Sequence, residues 1–113
     1  MIKVFDLAGR VLREGGETVL GLKDLGTHAC YMIHGVLTPG DPPRMLRPGP
    51  GHEEIVLVIS GSVKMEGKTG FQTLQPGQAV YLKDEESLNA TAVGENEARY
   101  VAAGGHGEGD HHH

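Results

Sequence analysis

Aromatic residues are scarce in this chain, which has no tryptophan, three tyrosines and two phenylalanines among 113 residues. The core therefore has to be built from Val, Leu, Ile, Met and Ala. Cysteine is equally scarce. Cys30 is the single cysteine, so an internal disulfide is excluded, and a reducing, cytoplasmic location is expected.

Positive charge is also in short supply. Ten Lys and Arg residues stand against fifteen Asp and Glu, and the net charge is −5. Binding to phosphate backbones needs a basic surface, so nucleic acid is not expected as a partner. No apolar run is long enough to span a bilayer, and the first six residues lack the apolar region of a signal peptide. A membrane partner is therefore not expected either.

Glycine and proline, by contrast, are plentiful, with eighteen and six residues. They divide the chain into short apolar or alternating segments that predict strands, and no convincing amphipathic helix is visible. Residues 41–51 contain four prolines and predict an irregular loop that cannot be a central strand. Many short strands between Gly and Pro turns are typical of an all-β, double-sheet jelly roll in a chain of one-domain length. The predicted strands are 2–5, 10–13, 18–22, 27–38, 55–60, 62–66, 70–74, 79–82, 87–93 and 98–102.

Residues 51–63 form the most informative segment. Residues 55–60 are mostly aliphatic, which predicts a buried strand, and His52, Glu53 and Glu54 stand directly before it. Gly61 follows the strand and permits a bend or bulge that few other residues tolerate.

This segment resembles the first motif of the cupin superfamily, which has two histidines one residue apart, a short gap, a glutamate, six residues and a glycine. Glu54 and Gly61 match the second half of that motif, whereas Pro48 and Pro50 stand at the two histidine positions.

Residues 74–82 resemble the Pro-Gly turn and strand of the second cupin motif, and Leu88 stands where that motif places its third histidine. The resemblance covers about residues 30–103. It implies a double-stranded β-helix, the jelly-roll cupin barrel, which is the fold that the strand pattern predicts independently.

The predicted domain is therefore a cupin β-barrel over residues 1–103 with N-terminal edge strands. The resemblance implies a homodimer, in which the N-terminal strands either exchange between subunits or pair within their own chain. Residues 104–113 are predicted to be a flexible Gly/His-rich tail. Its three final histidines fit a native metal-binding tract, the remains of a purification tag or a neutral tail.

His52 and Glu54 are the first candidate metal ligands. Residues two apart on a strand share a face, so His52 is expected to point inward beside Glu54. Imidazole and carboxylate together suit a divalent transition metal, but a tight site needs a third ligand, for which His34 is the first candidate and His28 the second. The alternative is that these are ordinary surface or buried side chains.

Leu88 instead favours an apolar ligand pocket over a hydrated metal site. Arg44 and Arg47 could orient an anionic ligand at the mouth of the barrel, or they could pair with nearby acids. Three methionines are candidates either for the pocket lining or for simple core packing: Met32, Met45 and Met65.

The leading functional hypothesis is a barrel that binds a small molecule and has a degenerate metal site. The first alternative is a metal-dependent enzyme of the dioxygenase or isomerase kind, which uses His52, Glu54 and a non-standard third ligand. The second alternative is a structural or interaction protein with a filled interior. The sequence leaves enzymatic activity open.

Overall fold

The computed structural model describes residues 2–106, which fold into two antiparallel sheets and two short helices. The helices are α1 (Leu7–Arg13) and α2 (Leu22–Leu25). The nine strands in this part of the chain are β1 (Glu17–Leu20), β2 (Cys30–Leu37), β3 (Arg44–Leu46), β4 (His52–Ser60), β5 (Val63–Gly67), β6 (Gly70–Leu74), β7 (Ala79–Lys83), β8 (Leu88–Ala92) and β9 (Ala98–His106).

The strand order is β1-β2-β9-β4-β7 in the five-stranded sheet and β3-β8-β5-β6 in the four-stranded sheet. The two sheets pack face to face, and we call the facing surfaces their inner faces. Within residues 2–106 no strand pairing joins one sheet to the other, so β6 and β7 border an open side. The predicted all-β, double-stranded β-helix architecture is confirmed.

Aliphatic side chains and one tyrosine fill the space between the sheets, as the composition predicts. In β4, Val56 and Val58 are fully buried, whereas Ile55, which points to the opposite face of the strand, is 54% exposed. This alternation shows which face of β4 points inward. The buried cluster contains Leu37, Leu46, Val56, Val58, Val63, Met65, Leu74, Leu82, Ala90, Ala98, Tyr100 and Ala102.

Gly61 makes the bend predicted for it. Its φ is +72°, and a Cβ there would lie 2.6 Å from the carbonyl oxygen of Glu97. The β4–β9 pairing also shifts register between Val58 and Ser60, which marks a β-bulge just before the turn. The proline-rich loop contains the three-residue strand β3, which lies at a sheet edge where proline is tolerated.

The N-terminal predictions need correction. Residues 2–5 do not form a strand, and residues 10–13 lie in helix α1 instead of a strand. The Asp6 side chain caps this helix by accepting a hydrogen bond from the Gly9 N–H at 3.1 Å, and Val11 is its buried residue. A helix of two turns with one buried residue gives too little periodicity to be seen in the sequence.

Strand β1 pairs with β2 of its own chain. Helix α1 packs on these two strands, where the Thr18 hydroxyl donates to the Glu14 carboxylate at 3.0 Å. No helix in the described part of the chain is long and apolar enough to cross a membrane.

The predicted boundary at residue 103 is also wrong, because β9 continues through Gly104 and Gly105 to His106. These residues pair with β2 on one side and β4 on the other. Glycines are poor strand formers, so the sequence hides this extension. Residues 107–113 lie outside the described residues, and the hypotheses for the histidine tract remain predictions.

Candidate functional site

Glu54 is a carboxylate inside the barrel. It follows His52 on β4, has Gly104 and Leu82 as its register neighbours on β9 and β7, and is only 3% exposed. A buried carboxylate is costly unless it is hydrogen-bonded. The Tyr31 hydroxyl supplies such a bond, donating to Oε1 of Glu54 at 2.6 Å. The inward orientation expected for Glu54 is therefore present.

Gly104 makes the Tyr31–Glu54 contact possible. Tyr31 lies on β2, two strands from Glu54, and Gly104 lies between them in register with both. A Cβ at Gly104 would come within 2.6 Å of the Tyr31 hydroxyl oxygen and 2.7 Å of its Cζ. The tyrosine ring thus crosses the intervening strand over a residue with no side chain.

The Tyr31 hydroxyl is held in its protonated, donating form. Burial raises its pKa above the ordinary value, and the hydrogen bond to Glu54 and the negative charge of Glu54 raise it further. Tyr31 therefore remains a neutral hydrogen-bond donor throughout the physiological pH range.

Histidine side chains lie near Tyr31 and Glu54, at the same end of the barrel. His52 and His106 are register neighbours on β4 and β9, with ring centroids 5.1 Å apart. The His28 ring lies 6.2 Å from that of His106, and Tyr31 lies 6.3 Å from His52. Nδ1 of His52 is 3.0 Å from the Pro50 carbonyl oxygen.

His34 does not belong to this group, which corrects the prediction that it is the third ligand. It lies three residues from Tyr31 on β2, and the unbroken register of that strand places it on the outer face of the sheet. Its register neighbours are Thr18 and Val101, and it is only 8% exposed. The sequence could identify the strand but not the face of the sheet that points inward.

The His34 imidazole is buried with Nε2 lacking a hydrogen-bond partner among residues 2–106. Burial lowers its pKa, and the nearby positive charge of Arg99 lowers it further. Both effects favour the neutral imidazole.

The two arginines predicted for the pocket lie elsewhere. Arg44 donates to the Gly16 carbonyl oxygen at 3.0 Å and to the Tyr100 hydroxyl at 3.3 Å. The Arg47 guanidinium lies 3.9 Å from the carboxylate of Glu85, and both side chains are about half exposed or more. Arg44 thus has a structural role, and Arg47 forms a solvent-exposed ion pair.

Leu88, unlike the two arginines, lines a cavity. This cavity, of about 510 Å³, opens between the sheets on the side of β7. Leu88, Val80 and Leu82 form its apolar wall. Its rim contains the polar residues Lys68, Thr69, Glu85, Glu86 and Ser87.

A second cavity of about 360 Å³ adjoins the first and shares Gly67, Thr69, Val80 and Leu88 with it. Met65 lines this second cavity and is also part of the core. The other two methionines predicted as lining are exposed on the surface: Met32 at 38% and Met45 at 62%. We call the two adjoining cavities together the β6–β7 cleft.

The residues at the superfamily's metal-ligand positions do not fit a metal ion. Pro48, Pro50 and Leu88 have no side-chain atom that can coordinate one, which leaves Glu54 alone. Across residues 2–106, no three His, Cys, Asp or Glu side chains are arranged to hold a metal. Two ligands, such as His52 and Glu54, are fewer than a tight site requires.

Sequence reasoning missed Tyr31 and Gly104 as neighbours of Glu54, and His106 as the neighbour of His52. One usable signal was present: a Gly-Gly pair directly after an apolar strand, since glycine inside a strand often marks a close approach of another group. That the approaching group is Tyr31 depends on the β2–β9–β4 order, which a single sequence does not provide.

The chain is matched by no protein-family model and by no curated protein. Solved structures do match it. A protein with a double-stranded β-helix domain from Klebsiella pneumoniae is 18% identical, with a TM-score of 0.70 over 96% of this chain and 93% of that one. The Cupin_2 domain of an XRE family transcriptional regulator from Enterobacter cloacae is 21% identical, with a TM-score of 0.66 over 82% of this chain and 99% of that one.

The Cnp3 cupin domain of Schizosaccharomyces pombe is 5% identical, with a TM-score of 0.63 over 73% of this chain. This chain spans 56% of the length of that structure. The inward glutamate, the glycine bend after its strand, the two antiparallel sheets and these likenesses agree, and the chain has the fold of the cupin superfamily.

Proposed function

We propose that this protein binds a small, mostly apolar molecule in the β6–β7 cleft. The observation that supports this most directly is the position of Leu88, which stands where the superfamily places a histidine ligand and lines the 510 Å³ cavity. An aliphatic side chain at this position favours contact with apolar groups of a ligand over coordination of a metal.

The size and lining of the cleft suit this role. Ligand pockets for small molecules occupy roughly 300 to 1,000 Å³ and combine apolar walls with a few polar groups. The larger cavity has Val80, Leu82 and Leu88 as its wall and hydroxyl or charged side chains as its rim.

The rim also indicates the charge of the ligand. It contains Lys68 with one positive charge, and Glu85 and Glu86 with one negative charge each. Arg47 lies at 3.9 Å from Glu85 and offsets part of that charge. A neutral or singly cationic ligand therefore fits this rim better than an anion does.

The comparison with the Enterobacter cloacae protein supports a binding role, because that similar domain belongs to a transcriptional regulator. A fold alone does not fix a function, so the cleft is the main support.

Fluorescent apolar probes test the proposal. Nile red is neutral, anilinonaphthalene sulfonate is anionic and auramine O is cationic. We expect the neutral and cationic probes to bind better than the anion, and Leu88→Trp, which fills the cleft, to weaken the binding of Nile red at least about tenfold.

Met45→Trp is the matched control, because it adds the same ring to β3, the strand paired with β8, at a side chain that is 62% exposed. It should leave Nile red binding unchanged. Absence of probe binding by the unaltered protein, or equal binding by the Leu88→Trp variant, would instead support a structural barrel with a filled interior.

A metal-dependent enzyme that uses His52 and Glu54 is the alternative, and the poor fit of the ligand positions gives it less support. Metal content decides between the two. A chain ending at His106 retains all of β9, unlike one ending at residue 103, and removes the terminal histidines. A full equivalent of bound metal that is lost in His52→Ala and Glu54→Ala would support the enzyme.

We also infer a cytoplasmic location, since a single exposed cysteine suits a reducing compartment. Fractionation of the native host with an antibody tests this, and recovery outside the cytoplasm would contradict it.

A further inference from the structure

The edge strands of the two sheets differ in how they are covered. At the outer edge of β1, the Arg10 guanidinium donates a hydrogen bond to the Val19 carbonyl oxygen at 3.0 Å. The edge strand β3 has only three residues and lies in the proline-rich loop. By contrast, β6 and β7 each have five residues without proline, and within residues 2–106 no strand pairs with them on the side of the cleft. Proteins usually cover or shorten sheet edges, so these two edges are available to a partner.

The pairing of β7 with β4 identifies the backbone groups that lie on the free edge of β7. The Asp84 N–H donates to the His52 carbonyl oxygen at 2.9 Å, just beyond the end of the β4–β7 register. Hydrogen-bonded pairs alternate along an antiparallel ladder, so the N–H and C=O groups of Ala79 and Tyr81 point away from β4. Across residues 2–106 no backbone group bonds to them on that side.

Lys83 has the same parity as Tyr81 and agrees with this assignment. Its N–H donates to Oε1 of Glu86 at 2.8 Å, and its carbonyl oxygen accepts from the Glu86 N–H at 3.1 Å. Glu86 therefore closes one end of the free edge, and Tyr81 and Ala79 form its open part. Both of these residues are exposed, so their backbone groups are accessible to a ligand.

We propose that an extended segment of a partner protein binds in the β6–β7 cleft as an additional antiparallel strand on β7. This inference rests on the proposed function, because it assigns a class of ligand to the same cleft. An extended chain presents a donor and an acceptor on one side at every second residue, roughly 7 Å apart. This repeat matches Ala79 and Tyr81, and strand addition to a free edge is an established mode of peptide recognition.

The side chains of such a strand alternate between the two faces of the sheet. Those beside Val80 and Leu82 point inward, toward the 510 Å³ cavity that Leu88 also lines. Those beside Tyr81 and Ala79 point outward to solvent. We therefore expect a segment that is apolar at every second position and polar at the positions between.

The charges after β7 indicate which end of the segment is basic. Asp84, Glu85 and Glu86 follow β7 directly, and Arg47 offsets part of the charge of Glu85. The N-terminal end of an antiparallel strand lies beside this acidic turn, so Lys or Arg is favoured there. The rim of the cavity has a net negative charge even with Lys68, which disfavours the terminal carboxylate of a free peptide and favours a segment inside a longer chain.

The edge of β6 provides a matched control. The Val93 N–H donates to the Ser62 carbonyl oxygen at 3.0 Å, and the alternation that follows across β5 leaves the Thr73 N–H pointing away from the sheet. Thr73 lines neither cavity of the cleft. Proline is tolerated where the N–H faces away from the sheet, so Ala79→Pro and Thr73→Pro should both fold. Circular dichroism checks this.

A defined peptide, acetyl-Lys-Thr-Ile-Thr-Ile-Thr-amide, tests the proposal by isothermal titration calorimetry. Its blocked ends mimic a segment inside a longer chain. With its lysine beside Asp84 in the antiparallel orientation, its isoleucines lie beside Leu82 and Val80. We expect the peptide to bind the unaltered protein and to displace Nile red. It should bind Ala79→Pro at least about tenfold more weakly and Thr73→Pro equally well.

N-methylated peptides test the strand pairing without altering the protein. A methyl group on the amide of the second threonine, whose N–H faces Tyr81, should weaken binding at least about tenfold. A methyl group on the amide of the second isoleucine, whose N–H faces away from β7, should have little effect. Equal effects of the two methyl groups, or equal effects of Ala79→Pro and Thr73→Pro, overturn the proposal.

Nile red separates this inference from the proposed function. If the unaltered protein binds Nile red but not the peptide, the strand addition is wrong and the apolar cleft stands. If it binds neither, the proposed function fails as well. Peptide binding with the expected methylation pattern but without Nile red binding supports the strand addition and contradicts the small-molecule site.

Discussion

The five-stranded sheet contains two versions of one arrangement, in which a tyrosine crosses a glycine to reach a glutamate two strands away. The Glu54 bridge consists of Tyr31, Gly104 and Glu54, and the Glu17 bridge consists of Tyr100, Gly35 and Glu17. In both, the glycine is in register with the tyrosine and the glutamate. The arrangement gives each carboxylate a hydroxyl donor from two strands away.

The two bridges differ in their surroundings. Tyr100 is fully buried, and its hydroxyl donates to Glu17 while it accepts a hydrogen bond from Arg44. Because Glu17 is the first residue of β1, this bridge fastens the N-terminal strand to the sheet. The Tyr31 ring is only half-buried, and its bridge lies beside His52. The Glu17 bridge therefore attaches an edge strand to the sheet, whereas the Glu54 bridge holds a carboxylate in the interior.

Substituting the glycines should give the largest effects. A Cβ at Gly35 would lie 2.1 to 2.4 Å from ring and hydroxyl atoms of the buried Tyr100, so Gly35→Ala should cost roughly 3 kcal/mol or more of unfolding free energy. Gly104→Ala should cost about 2 kcal/mol, because the half-buried Tyr31 can turn outward although the Glu53 carbonyl oxygen must also shift. Urea unfolding measures both.

Gly21→Ala is the control for these variants. Its φ is negative and its added Cβ would make an ordinary 3.5 Å contact with Val19, so the effect should stay below about 1 kcal/mol. If Gly104→Ala is more destabilising than Gly35→Ala, the Glu54 bridge is the more rigid of the two and the comparison is reversed.

Removing the hydroxyl groups should have the next largest effects. Tyr100→Phe removes both the donor to Glu17 and the acceptor for Arg44 and should cost about 2 to 3 kcal/mol. Tyr31→Phe removes one donor from Glu54 and should cost about 1 to 2 kcal/mol. Nile red binding should be unchanged by either variant, which separates stability from ligand binding. Equal costs would mean that Arg44 adds nothing to the Glu17 bridge.

Alkaline pH provides a third comparison. The pKa of Tyr100 is raised by burial and then by its bond to Glu17, and that of Tyr31 by burial and its bond to Glu54. The bond to Glu53, followed by burial and nearby acids, raises the pKa of exposed Tyr81 to about 12. Tyrosines in the unfolded chain ionise near about pH 10. The contribution of these tyrosines to the unfolding free energy should therefore be fully present below that pH and be lost as the pH rises through the folded-state pKa values.

The decline can be assigned by substitution. Tyr100→Phe and Tyr31→Phe should each flatten the slope of unfolding free energy above about pH 10 by up to about 1.4 kcal/mol per pH unit. Tyr81→Phe should change it least, because solvent screens this exposed hydroxyl. Urea unfolding from about pH 9 to 11.5 measures the slopes, and a change with Tyr81→Phe alone would contradict the assignment.

The arginines should give the smallest effects. Arg44→Met removes donors from the Gly16 carbonyl and the Tyr100 hydroxyl and should cost about 1 to 2 kcal/mol. Arg47→Met removes an exposed ion pair of 3.9 Å and should cost less than about 0.5 kcal/mol. Thermal unfolding distinguishes them. Similar small costs would show that the Glu17 bridge does not depend on its guanidinium.

Much of the fold could be predicted from the sequence because strands from residue 27 onward are delimited by Gly and Pro turns. Helix α1 was missed because it buries only Val11. The inward position of Glu54 followed from its match to the cupin motif. His34 was misassigned because alternation along one strand does not identify which face is inner when the strand order is unknown. Tyr31 was missed because its contact joins residues 23 positions apart.

Strand β9 is the last strand of the described chain, yet it lies in the middle of the five-stranded sheet. Its neighbours β2 and β4 cannot complete their pairing until β9 has been synthesised, since they pair with β9 and not with each other. We expect the nascent chain to complete this sheet only after β9 has left the ribosome. Such long-range pairing makes folding slow, and products that terminate early would expose two unpaired strand edges to aggregation.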